Sequence, residues 1–187
     1  HTTSLCDWSS DVCSSDLIAR PGAVCEGDEA KMEIAVALAR RNVEEGGGPF
    51  GALVLHRPTG RVVAGGVNMV LAANLSAFHG EMTAIAAAQT RLGSYTLDVN
   101  GGHELFTSSE PCAMCLGGIL WSGVKRVVFG ASCESARAIG FDEGPVFPET
   151  WQYLRDAGIE VAGGVLAGRS REVLELYVRR GGGIYNP

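Results

Sequence analysis

The chain has 187 residues, 46% of them hydrophobic and 19% charged, which is enough for one domain with a sizeable buried core. No apolar run approaches the roughly 18 residues that cross a bilayer, so a membrane role is not expected. A formal net charge of -6 excludes a general electrostatic attraction to nucleic acid and points toward small-molecule partners.

The opening stretch, residues 1–27, lacks helical or strand periodicity and mixes Ser, Asp, Trp and Cys without pattern. The run Leu5 to Leu17 resembles translated sequencing-adapter read-through, so this segment is expected to be disordered or foreign, with a native start near Asp28. No basic segment followed by an apolar one marks a signal peptide. From Asp28, an N-cap candidate, Met32, Ala35, Val36, Ala39 and Val43 recur at helical spacing up to Gly46-Gly47-Gly48-Pro49. Two β-rich runs follow, Gly51 to His56 and Arg61 to Val67, with Arg57-Pro58-Thr59-Gly60 between them, which predicts a hairpin. Ser76 is placed to cap a helix from about Ala77 to Leu92.

Glu104 to Ser108 reads as a strand, and Pro111 suits the first position of a further helix that carries Cys112 and Cys115 on one face. Arg126 to Phe129 reads as a strand, Glu149 to Asp156 as a helix, Ile159 to Val165 as a strand and Ser170 to Arg180 as a last helix. This alternation predicts a three-layer α/β/α domain over residues 28–187, with helices on both faces of a mixed sheet. No internal repeat is evident.

The chemistry-bearing residues are His79, Glu81 and a Pro-Cys-x-x-Cys run at 111–115. Zinc takes tetrahedral nitrogen and sulfur donors, and a catalytic site supplies three of them so that water can hold the fourth position. His79, Cys112 and Cys115 supply three, and helix N-termini converging there would favour thiolate. Two thiolates and one imidazole leave the ion near zero formal charge, so a general base is needed, and Glu81, two residues from a ligand, is placed for it. No second C-x-x-C exists to complete a four-cysteine structural knot, and Cys6, Cys13, Cys25 and Cys133 show no ligand-like spacing. Thiolate ligands imply a reducing compartment, hence the cytoplasm.

At these residues the chain resembles the cytidine and deoxycytidylate deaminase superfamily, in the branch that holds bacterial guanine deaminases and tRNA adenosine deaminases. The likeness also takes in Gly48-Pro49-Phe50-Gly51-Ala52 and Gly66-Val67-Asn68. It implies a five-stranded sheet, a homodimer, and a zinc-activated water that attacks an aminated ring carbon. Gly140-Phe141-Asp142-Glu143 is similar to the acidic loop of guanine deaminases, which makes Glu143 a second catalytic acid and Asp142 a substrate contact. Asn68 matches a substrate-binding asparagine, and Tyr185, after Gly181-Gly182-Gly183, is similar in position to a tail that closes the site. The implied reaction is guanine to xanthine plus ammonia.

Departures from the guanine deaminase pattern in Asn74-Leu75-Ser76-Ala77-Phe78 and at Gly80 keep other amino-heterocycles open: cytosine, a triazine or a nucleoside. A tRNA adenosine deaminase is a further alternative. It meets an acidic chain whose last helix interleaves Arg169, Arg171, Arg179 and Arg180 with Glu172 and Glu175. A non-catalytic zinc scaffold, which would not need Glu81, is the reading from another class.

Overall fold

The computed structural model describes residues 18–185. Five strands form one mixed sheet in the order β2-β1-β3-β4-β5: β1 (Gly51–His56), β2 (Arg61–Val67), β3 (His103–Ser109), β4 (Arg126–Ala131) and β5 (Glu160–Gly163). β1 pairs antiparallel with β2 and β3, whereas β3, β4 and β5 run parallel. Among the described residues, seven helices of four residues or more accompany them: α1 (Asp28–Glu44), α2 (Val70–Ala73), α3 (Gly80–Leu92), α4 (Ala113–Ser122), α5 (Cys133–Ala138), α6 (Pro148–Asp156) and α7 (Ala167–Arg179). None of them is long and apolar enough to cross a membrane.

Strand side chains alternate between two cores, as the period of two requires. Leu53, Leu55, Phe106 and Val128 pack beneath α1 and α7 with Met32, Leu38 and Val173. Ala52, Val54, Leu105 and Val127 pack on the other side with Ile85 of α3, Ile119 of α4 and Leu154 of α6. The expected α/β/α layering and five-stranded sheet are therefore present.

Several boundaries differ from the sequence reading. Asp28 is not the cap of α1 but its first residue, with Gly27 at the N-cap, and its carboxylate is bonded to the Arg126 guanidinium at 2.6 and 2.8 Å. α3 starts at Gly80 rather than Ala77, because the intervening chain folds into α2 and is closed by a Met69 N–H to Phe78 carbonyl bond of 2.8 Å. β5 is shorter than expected and α7 begins three residues earlier.

The stretch from 18 to 27, expected outside the domain, runs antiparallel along β2. Gly22 N–H donates to Val62 O at 2.9 Å, Val62 N–H to Ala23 O at 2.8 Å and Cys25 N–H to Gly60 O at 2.9 Å, while Ala19 is fully buried. β2 is an edge strand whose free backbone groups need a partner, and this segment supplies one. The adapter-like run at 5–17 lies outside the described residues.

Strand direction gathers the start of β1 with the ends of β2, β3 and β4 on one edge of the sheet: Gly51 faces Val67, and Ser109 faces Ala131. Ligand sites of α/β sheets lie at such an edge. α3 reaches it by packing its backbone onto β2 at Gly66, where any Cβ would sit 2.3 Å from the Ala84 nitrogen.

Candidate active site

Both ligand-bearing helices begin at this edge. His79 is the N-cap of α3 and Cys112 the N-cap of α4, each in extended conformation, and Cys115 lies within the first turn of α4. The three donors come together as the sequence spacing implied: His79 Nδ1 lies 3.4 Å from Cys112 Sγ and 3.6 Å from Cys115 Sγ. Zinc–sulfur bonds of about 2.3 Å and a zinc–nitrogen bond of about 2.0 Å, held at the tetrahedral angle, separate nitrogen from sulfur by about 3.5 Å. The donor set thus has the span of a tetrahedral zinc site and leaves one position open. The two thiols are coupled. The hydrogen bond from Cys115 pulls Cys112 down to about 4, and donating that bond, together with burial, holds Cys115 well above the ordinary thiol range.

Glu81, the second residue of α3, is buried beside this triad. Its Oε1 accepts a 3.1 Å hydrogen bond from Thr107 Oγ1 of β3, and its Oε2 lies 3.5 Å from Cys115 Sγ. Burial and the neighbouring Cys112 charge raise its pKa above the usual carboxylate range, which suits a group that must take up and release a proton. Thr107 was not singled out from sequence, where it reads as one more β-branched strand residue.

A small cleft opens above these groups, lined by Phe50, Asn68, His79, Glu81, Glu143 and Tyr185 among others. Phe50 and Phe141 form aromatic walls, with ring centroids 5.0 Å apart in an edge-on arrangement. Asn68, Glu143 and Tyr185 all reach the cleft, as expected. Asn68 Oδ1 accepts from Val70 N–H at 3.2 Å, and among the described residues its buried Nδ2 has no partner, nor has the buried Tyr185 hydroxyl. Buried polar atoms without partners in a cleft wall are positioned to meet a ligand. Burial, with the Cys112 and Glu81 charges, pushes the Glu143 carboxyl up to about 8.

Asp142 does not join them. It is exposed, does not line the cleft, and its Oδ1 accepts from Gly144 N–H at 2.8 Å, so the structure places it as a turn acid. Glu110 does line the cleft, although the sequence reading gave it no role. Its carboxylate accepts from Trp151 Nε1 at 2.8 Å and from Cys133 N–H at 2.9 Å, so it grips α6 and α5 on either side of the loop that carries Glu143. The available signal was an acid within the Glu-Pro-Cys run.

The sequence over residues 25–131 matches a family model described as the cytidine and deoxycytidylate deaminase zinc-binding region. This chain belongs to that family. Among its relatives, the deaminase is 41% identical to the guanine deaminase of Bacillus subtilis over 122 residues, 65% of this chain and 75% of that protein. It is 32% identical to the tRNA-specific adenosine deaminase of Haemophilus influenzae over 160 residues, 83% of this chain and 85% of that protein. A solved guanine deaminase of Nitrosomonas europaea superposes with a TM-score of 0.82 at 37% identity, covering 86% of this chain and 89% of that one. A solved complex with 2,6-diaminopurine gives a TM-score of 0.85 at 38% identity, with 91% of each chain covered. The deaminase is thus a hydrolytic enzyme of a cytidine deaminase-like fold.

Proposed function

We propose that the deaminase converts guanine and water to xanthine and ammonia, with zinc held by His79, Cys112 and Cys115. The observation that carries this reading is a second buried carboxyl, Glu143, sharing an aromatic-walled cleft with Glu81 and with the unpartnered amide of Asn68. Guanine presents a ring N–H and an exocyclic amine, both donors for a carboxylate, beside ring-nitrogen and carbonyl acceptors for an amide N–H. The likeness to guanine deaminases supports the same substrate.

Bound zinc supplies a water activated for attack at neutral pH. Glu81 accepts the proton lost as the new carbon–oxygen bond forms and hands it toward the base, so that the amine leaves as ammonia when its carbon–nitrogen bond breaks. Glu143, buried in the same cleft, holds the amino edge and can return a proton to the departing nitrogen. Asn68 orients the base, and Phe50 and Phe141 flank it.

The likeness to tRNA adenosine deaminases keeps the second reading in view. Two arginines of α7 argue against it: Arg169 pairs with Glu172 and Glu33, and Arg179 with Glu175, so acids of the protein itself face them.

The enzyme is also proposed to act as a cytoplasmic homodimer. Reduced thiolate ligands require a reducing compartment. On α4, Met114, Gly117, Gly118 and Trp121 fall at helical spacing on one side, and Trp121 is 83% exposed, a face suited to a second copy.

Ammonia release from guanine, adenine, cytosine, guanosine and a tRNA anticodon stem-loop tests the assignment, with Glu81→Gln as control. Guanine is expected to be turned over, and the variant to lose about 10²–10⁴-fold in rate. Turnover of another substrate with silence on guanine would retain the mechanism and reject the substrate. Silence on every substrate would favour the scaffold reading.

A further inference from the structure

Gly48 is buried just before β1, and its backbone is not left-handed, so conformational freedom does not explain a glycine there. Its surroundings do. A Cβ at this position would lie 2.1 Å from the Tyr185 hydroxyl oxygen, 3.0 Å from Tyr185 Cζ and 3.1 Å from Asn68 Cγ. The phenol occupies the volume that any side chain at 48 would take.

The two parties to this contact differ in their freedom to move. Asn42 Nδ2 donates to Gly48 O at 2.7 Å and to Asn68 O at 2.8 Å, and Asn68 N–H donates to Phe50 O at 2.9 Å, so the socket is cross-linked to α1 and to both hairpin strands. Tyr185 hangs from Gly181-Gly182-Gly183. That tail is held by Gly182 N–H to Tyr177 O at 3.0 Å, by the Tyr177 hydroxyl to Gly183 O at 2.5 Å, and by an edge contact of the Tyr185 ring with Phe141 at 5.1 Å. When position 48 and the phenol compete for space, the tail yields.

We propose that Gly48 is a positioning residue: its missing side chain is the socket that seats the Tyr185 hydroxyl over the base pocket. The kinetic consequence rests on the guanine reading; the seating itself does not.

Gly48→Ala, Tyr185→Phe and the double variant test this by hydrogen exchange of the C-terminal peptide, by thermal midpoint, and by KM and kcat on guanine. In Gly48→Ala, exchange protection of the tail is expected to fall about tenfold or more with little change in midpoint, because only weakly held residues are displaced. KM should rise about tenfold with a smaller change in kcat, the sign of lost binding shared by ground and transition states. Tyr185→Phe removes the 2.1 Å contact, so the double variant should regain tail protection and approach the KM of Tyr185→Phe alone. Unchanged exchange in Gly48→Ala would overturn the proposal, as would equal loss in the double variant, which would trace the effect to Asn68. The expected exchange pattern in a protein that leaves guanine untouched would uphold the socket and reject only the substrate.

Discussion

Thr107→Val isolates one hydrogen bond at Glu81, the proposed proton carrier. The side chain keeps its branched shape in the middle of the sheet, between Ala52 of β1 and Phe129 of β4, where valine is at home. It loses the hydroxyl that donates to Glu81 Oε1 at 3.1 Å. Thr107 is 1% exposed, so water does not readily replace the donor. A hydrogen bond to an ionised group contributes about 1.5–3 kcal/mol, and its 3.1 Å length puts this one near the lower end. Since about 1.4 kcal/mol is a factor of ten, the loss changes the balance between ionised and protonated Glu81 about tenfold.

The direction is upward. Burial and the Cys112 charge already raise Glu81, and the Thr107 hydroxyl is among the groups that hold it down, so removing that hydroxyl favours the protonated acid. A base must be ionised to work. The acid limb of kcat/KM on guanine should therefore move to higher pH, with about a tenfold loss below the limb and near-parental values well above it. The assay is ammonia release across the pH range, with zinc content measured alongside as a control, because Thr107 bonds to Glu81 rather than to the three donors. An unmoved limb would refute the role given to Thr107. So would a uniform loss at every pH, which would mean that Glu81 had been displaced rather than retuned.

Two further outcomes are expected. Chelation should abolish ammonia release reversibly while far-ultraviolet circular dichroism persists, because the donors sit at the sheet edge and both apolar cores are built without them; unfolding on chelation would assign the ion a structural role. Glu104→Gln should lower the thermal midpoint by on the order of 10 °C yet spare kcat, since breaking a buried ion pair costs about 3–5 kcal/mol. Glu104, far from the cleft, accepts from Lys31 at 2.6 Å and Arg126 at 3.3 Å beneath nearly complete burial.

The cluster of His79, Cys112 and Cys115 beside Glu81 was legible because coordination chemistry constrains residue type and local spacing together, and the start of α4 alone presents two sulfurs. The hairpin was legible because two β-rich runs and the Pro/Gly turn between them are local signals. The start of α3 was not. Ser76 looked like a cap, yet α2 and a left-handed Asn74 with φ of 55° fold the preceding chain back and delay the helix to Gly80. That delay leaves His79 extended at the N-cap, the conformation in which its Nδ1 meets the sulfurs. The partners of Glu81 and Glu110 were equally hidden, since Thr107 lies 26 residues from Glu81 and Trp151 lies 41 from Glu110.

Asp142 and Glu143 show where local reading ends. Both are acids in one loop, and composition offers no reason to separate them. The tertiary contact that does so is a 3.0 Å bond from Ala113 N–H, in the first turn of α4, to the Glu143 carbonyl. It fastens the loop to the helix that carries the two cysteines, while the Asp142 side chain turns back to Gly144 N–H. Glu110 holds α5 and α6 on either side of that loop, so its ends cannot drift from the metal site. The second carboxyl therefore reaches the cleft through the same helix terminus that supplies the thiolates, and its burial follows from metal-site architecture rather than from any preference of the loop itself.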